Sequence, residues 1–199
     1  VQAPGENDDV QRMSKQEWRR HILAARSTVS AAEHAADAHE LGVAARDLVT
    51  PGSTVCAYMP IGTEPGSPQL LELLIQAGAR VLLPIARDPG PLSWAEFTAT
   101  DNLIPARFGL REPDGPVFAP AEIRTAANVL VPALAVDRRG VRLGRGAGFY
   151  DRTLSLADPE TRLIAVVRDT ELVAELPEEA HDARMGWSLT PRGGLAALG

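Results

Sequence analysis

The stretch from Asp137 to Arg152 concentrates the residue types that handle phosphate. Glycines at 144, 146 and 148 let backbone amides approach an anion closely, and the helix expected behind them adds partial positive charge. Arg142 and Arg145 supply forked donors that match phosphate oxygens. Asp151, just past the glycines, carries the hard oxygen that magnesium takes beside phosphates. Taken alone, the stretch is equally compatible with a glycine-rich turn bearing solvated arginines. Its spacing is Gly-x-Gly-x-Gly, so the dinucleotide fingerprint Gly-x-Gly-x-x-Gly does not fit.

A second pair of cations lies far upstream. Lys15 and Arg19 are spaced to share one helical face a turn apart, where they repel unless an anion sits between them. Lys15 is also the only lysine, and Gln16 follows it, which excludes a P-loop. A lysine base or Schiff base could be built on Lys15 alone. Cys56, the single cysteine, rules out an intramolecular disulfide and a thiolate zinc finger, and its apolar neighbours mark it as core. His21, His34 and His39 fall on polar helices and are expected to be exposed, whereas His181 beside Asp182 is a candidate to support a metal ligand.

These groups must be positioned by a chain of 199 residues with 26 acidic and 20 basic side chains, a net charge of −6. Apolar residues at 45% and charged residues at 23% fit an ordinary globular domain, and the acidic balance argues against nucleic acid as a partner. The arginine cluster is short and lacks interleaved aromatics for base stacking. The apolar runs are too short to span a bilayer, so a cytoplasmic protein is expected. Residues 1–12 are expected to be a flexible leader and 13–199 a single catalytic α/β domain.

Two capping boxes, Ser14–Glu17 and Ser30–Glu33, predict helices over about 15–27 and from Ser30 to before Thr50. In the first, Met13 should staple onto Trp18, while Trp18, Ile22 and Leu23 face inward. A strand over Thr54–Pro60, a helix opened by Ser67-Pro68 and stopped by Gly78, and a strand over Arg80–Ala86 form a βαβ unit. Further strands are expected at Leu92–Phe97, Asn128–Val136 and Arg162–Val167, with mostly loop over Asp101–Pro120. Their continuous apolarity predicts a mostly parallel sheet covered on both faces.

Lys15 with Arg19, Tyr58-Met59-Pro60 with Glu64, Phe108-Gly109-Leu110-Arg111-Glu112-Pro113, and above all Leu143-Gly144-Arg145-Gly146-Ala147-Gly148-Phe149-Tyr150-Asp151-Arg152 resemble the 5-formyltetrahydrofolate cyclo-ligase family. The resemblance spans about residues 13–190, and the arginine bias resembles that of an actinobacterial member. It implies a three-layer α/β/α fold of the ribose-5-phosphate isomerase and CoA-transferase type, acting as a monomer on small molecules with no nucleic acid or membrane partner. The implied reaction converts 5-formyltetrahydrofolate to 5,10-methenyltetrahydrofolate with Mg2+ and ATP, through a phosphorylated formyl group, releasing ADP and phosphate.

Carried over by position, the resemblance assigns ATP contacts to Lys15, Arg19 and the run Arg142, Leu143, Gly144, Arg145, Gly146, Ala147, Gly148, Phe149 and Tyr150. Arg145, with Lys15, is the expected catalytic cation, and Asp151 and Asp182 match the two magnesium positions. Ile61, Glu64 and Gly66, with Arg145 to Phe149, match the folate side. Glu64, Phe149 and Tyr150 fit equally well as a loop charge and as packing groups. Two positions depart from the family pattern: Gly66 stands where an acid is usual, and Ala147 where Gly or Lys is usual. They motivate an alternative reading, a folate- or nucleotide-binding homologue that has lost turnover. A third reading, from fold analogy, is a sugar-phosphate isomerase, which would need a carboxylate base and no ATP.

Overall fold

The first two helices begin where the capping boxes place them. In the computed structural model, which describes residues 13–87, 90–106 and 109–199, helix α1 spans Lys15–Ser27 and α2 spans Ala31–Arg46. Ser14 and Ser30 each accept from the third helical amide while Glu17 and Glu33 reach back to the cap, so both boxes close fully. The leader expected over 1–12, and Phe108 of the 108–113 motif, lie outside the described residues.

The rest of the chain runs β1 (Thr54–Cys56), α3 (Pro68–Gln76), β2 (Arg80–Ile85), β3 (Ser93–Phe97), β4 (Leu103–Pro105), β5 (Arg111–Pro113), β6 (Val117–Phe118), β7 (Ala126–Pro132), β8 (Ala135–Asp137), β9 (Arg142–Leu143), α4 (Phe149–Leu154), β10 (Arg162–Val166), β11 (Leu172–Val173), β12 (Trp187–Thr190) and β13 (Gly194–Ala197). Eight strands form one mixed sheet in the order β13-β12-β10-β7-β1-β2-β3-β6. Its five central strands, from β12 to β2, are parallel, and the antiparallel pairings lie at the two edges.

Alternation along these strands builds two cores. Val55, Val81, Leu83, Leu130, Ile164 and Val166 face a core shared with α2 and α3. Their neighbours Cys56, Leu82, Val129, Val131 and Ala165 face the other side, against Ile123, Leu154 and Met185. Period two on a sheet covered on both faces makes each central strand apolar throughout, as expected of buried parallel strands. Burial pushes the Cys56 thiol far above its ordinary range, so it is inert core. A third cluster joins α1, through Trp18 and Ile22, to the small sheet β11-β8-β9, with Met13 packed against it.

Several expectations are corrected. The strand expected over Thr54–Pro60 ends at Cys56, because the Tyr58 hydroxyl donates to Pro65 O at 2.7 Å and folds the following residues into a loop. The run Asn128–Val136 is two strands in different sheets. Arg26 takes the carbonyl of Ala133, and the Leu134 amide turns to Leu143 O, so the backbone leaves the main ladder after Pro132. The segment 101–120 is not only loop but holds β4, β5 and β6. Leu23 is 39% exposed, since the buried face of α1 follows Trp18, Ile22 and Arg26 at intervals of four. His34 is half-buried rather than exposed and pairs with Arg168 at 2.8 Å. Among the described residues no helix is long and apolar enough to cross a membrane.

Candidate active site

In an open parallel sheet, ligands gather beyond the carboxyl ends of the strands where the winding direction reverses. Here the chain leaves β1 for β2 on one side and later reaches β7 on the other, so that point lies above β1. A cavity of about 270 Å³ opens there. The loop after β1 lines it with Tyr58, Ile61 and Glu64, the end of β2 with Pro84 and Ala86, and the end of β7 with Pro132, Ala133 and Leu134.

The segment Gly144–Gly148 closes this cavity and is held by a polar scaffold. Asp137, with no exposed surface, accepts from the amides of Arg139, Val141 and Leu176 and from the Arg139 guanidinium, which clamps the turn between β8 and β9. At Gly140, φ is +87° and a Cβ would collide with the Met185 carbonyl, so only glycine fits this approach. After β9, Gly144 lets the Arg142 guanidinium lie against the backbone, where a Cβ would stand 2.6 Å from Nη1. Gly146 and Gly148 take φ of +100° and +71° on either side of Ala147.

On the opposite side of this loop is a second, polar cleft of about 540 Å³, lined by Lys15, Arg19, Glu179, His181 and Asp182. Arg142, Gly144, Gly146, Gly148 and Asp151 line both spaces, so the glycine loop is their common wall. Helix α1 thus brings Lys15 and Arg19 to the loop: Arg19 Nε donates to Gly144 O at 2.9 Å. Lys15 Nζ lies 2.7 Å from one Asp182 oxygen and 3.3 Å from Glu179. Burial alone would raise the Asp182 carboxyl, but hydrogen bonds from Lys15 and the Glu179 amide outweigh it and hold it below the usual carboxylate range.

Each expected site residue has a definite place. Arg145 is half-exposed and donates to Glu64 at 3.0 Å across the mouth of the apolar cavity. Glu64 is 8% exposed and also accepts from the Ile61 amide, so it is a buried, paired carboxylate rather than a solvated loop charge. Gly66 is buried with φ +97°, and a Cβ there would meet Pro60 Cγ at 3.3 Å. A side chain is strained at this position, which leaves Glu64 as the carboxylate of the loop. Arg142 is buried and committed to Asp151 at 2.8 Å, so it borders both spaces as part of the loop's wall and not as a free cation. The Leu143 side chain packs in the third core, so only its backbone can serve a ligand. Phe149 and Tyr150 start α4 and line the apolar cavity; burial raises the Tyr150 hydroxyl far above its usual range, so it stays protonated.

Asp151 and Asp182 both face the polar cleft, each held by a cation. Glu179 and His181 join Asp182 in a cluster whose ligand atoms all lie within 4.8 Å of one another. The sequence reading overlooked Glu179, whose type and spacing look like any loop acid. It also overlooked Arg26, 2% exposed and bound to Glu171, although the interval of four from Trp18 and Ile22 carried the signal.

Residues 11–191 match the model of the 5-formyltetrahydrofolate cyclo-ligase family. A 5-formyltetrahydrofolate cyclo-ligase from Mycolicibacterium smegmatis is 49% identical over 190 residues, covering 93% of this chain and 97% of that protein. The Escherichia coli protein of the same name is 31% identical, covering 69% of this chain and 78% of its own length. In fold, the chain is similar to the solved 5,10-methenyltetrahydrofolate synthetase of Aquifex aeolicus, with a TM-score of 0.73 at 24% identity, covering 94% and 93% of the two chains. With a match over nearly its whole length and a relative at almost half identity, the chain belongs to the 5-formyltetrahydrofolate cyclo-ligase family.

Proposed function

We propose that this protein catalyses the ATP- and magnesium-dependent closure of 5-formyltetrahydrofolate to 5,10-methenyltetrahydrofolate, with release of ADP and phosphate. The observation that carries the assignment of sides is the shared wall: one glycine loop separates a largely apolar cavity from a cleft lined by Lys15 and Arg19. A pterin bearing the formyl group suits the first space and a triphosphate the second, and the loop is where the two must meet. The parallel central strands and covered faces also support a fold of the ribose-5-phosphate isomerase and CoA-transferase type.

The formyl oxygen attacks the γ-phosphorus, the bond from that phosphorus to the bridging oxygen breaks, and ADP leaves. The neighbouring folate nitrogen then attacks the activated formyl carbon and gives up its proton to the phosphate group, the carbon–oxygen bond breaks, and phosphate departs. Little covalent help is required of the protein, so alignment and neutralisation of charge supply most of the acceleration. Arg145 stands on the dividing loop and lines the apolar cavity; released from Glu64, it is the cation for the transferring phosphoryl group. Lys15 exchanges Asp182 for a phosphate oxygen, and Arg19 holds the loop through Gly144 O. The freed Glu64 accepts from pterin N–H groups.

The donor set suits magnesium: Asp151 and Asp182, with Glu179 beside Asp182, offer hard carboxylate oxygens around the polar cleft. Bound there, the ion supplies positive charge to phosphate oxygens. The test follows near-ultraviolet absorbance of the methenyl product from 5-formyltetrahydrofolate. Product is expected with ATP and magnesium together and not when either is left out; no product with all three present would refute the assignment.

A further inference from the structure

Arg26 is not among the residues assigned to either ligand, yet it lines the apolar cavity while being only 2% exposed. Its Nε donates to Glu171 Oε1 at 2.7 Å, and Nη2 donates to Glu171 Oε2 at 2.8 Å and to Ala133 O at 2.7 Å. A guanidinium has five N–H donors; these contacts use three, and the remaining two both sit on Nη1. Nη1 is buried and has no partner among the described residues.

The surroundings leave Nη1 as the unpaired end of an otherwise firmly held guanidinium. Glu171 also accepts from the Arg168 amide, and Arg168 is itself bound to Asp37, to Thr63 O and to His34. Around Arg26 the other charged groups are therefore partnered, and Arg26 is fixed in one orientation. A buried ion pair is weak evidence for stability, because apolar groups of the same volume serve as well or better. A buried donor left unpaired costs more still and calls for an explanation. Two more orphans, Arg142 Nε and Tyr150 Oη, belong to side chains lining the same cavity, whereas the other four orphan side chains do not line it. Both arginines can only donate, so an occupant that satisfied their unpaired N–H groups would present acceptor oxygens.

We infer that Arg26 is a substrate-binding residue whose Nη1 donates to a carbonyl oxygen of the bound folate. This rests on the folate reading of the cavity. Two oxygens have the required chemistry, the formyl oxygen and the pterin ring carbonyl. Glu171 is then the positioning partner that aims the guanidinium.

The test uses Arg26→Lys, which keeps a cation for Glu171 but loses the Nη1 donors. Titration calorimetry should show 5-formyltetrahydrofolate binding about 10- to 100-fold weaker, the cost of one charge-assisted hydrogen bond. KM for ATP should stay at the wild-type value, a split that a merely structural role would not produce. Loss for the 5-formyl compound with unchanged affinity for 5-methyltetrahydrofolate identifies the formyl oxygen; equal loss for both identifies the ring carbonyl. Wild-type affinity for both ligands overturns the inference. Should Arg26→Lys fail to fold, the paired change Arg26→Gln with Glu171→Gln removes the buried charges together and is read against the same outcomes. Failure of the wild-type protein to bind the formyl compound would instead overturn the functional reading, so the two failures are distinct.

Discussion

The two sides of the glycine loop hold charge in opposite ways. In the apolar cavity, Arg26 and Glu171 are fixed in a buried pair, with side chains 1% and 4% exposed. In the polar cleft, Lys15 meets Asp182, with side chains 15% and 8% exposed, and has a second, 55% exposed carboxylate beside it in Glu179. A fully buried pair cannot exchange partners without leaving an uncompensated charge, whereas a lysine shared between a part-buried and an exposed carboxylate can trade one of them for a phosphate at lower cost. The cavity is therefore pre-organised, and the cleft is adaptable. That division suits a reaction in which one substrate must be aligned to the atom while the other contributes a highly charged group.

The comparison breaks most sharply at Glu171. Replacing it with alanine strands the Arg26 guanidinium and should lower the unfolding free energy by about 3–5 kcal/mol, measured by urea denaturation. A loss below about 1 kcal/mol would mean that the cavity's charges are as solvated as those in the cleft. Next come the two cations proposed to meet the phosphates. Arg145→Ala should reduce kcat about 100- to 1000-fold, as expected when a donor aimed at transition-state charge is removed. Lys15→Ala should lower kcat/KM for ATP about 10- to 100-fold, the scale of one charge-assisted contact. Both variants should melt within a few degrees of wild type, since both side chains face solvent-accessible space. A melting temperature that fell in step with activity would place them in the scaffold instead.

The smallest effect concerns pH. Because the folded Asp182 carboxyl lies below its unfolded value, its contribution to stability is fully present above roughly pH 4 and is lost as pH falls through the depressed folded value. Thermal melts of wild type and Asp182→Asn should therefore differ at neutral pH and converge on acidification. Curves that stay parallel down to the lowest pH would show that the Lys15 contact adds nothing to stability.

How much of this was legible beforehand differs between elements. The capping boxes at Ser14 and Ser30 set two helix starts to the residue, because a cap is satisfied by groups three positions away. The Ser67-Pro68 start and the stop at Gly78 were equally local, and Gly78 has φ +93°. The run Asn128–Val136 misled because apolar continuity does not reveal where a strand changes sheets; that depended on Arg26 and Leu143, both distant in sequence. Glu64 could be read as a loop charge only until Arg145 was placed beside it.

The sequence by itself determined the starts of the first three helices, the stop at Gly78, and the burial of the central strands on both faces. The caps and the stop follow from contacts within a few residues. Only the tertiary structure decided which charges meet. Lys15 reaches Asp182 across 167 positions, Arg26 reaches Glu171 across 145, and Arg145 reaches Glu64 across 81. The order and register of the sheet fix where these loops emerge, and no local spacing carries that information. The lone lysine shows both halves of the lesson: its helix was written in the four residues from Ser14 to Glu17, and its partner was supplied by the fold.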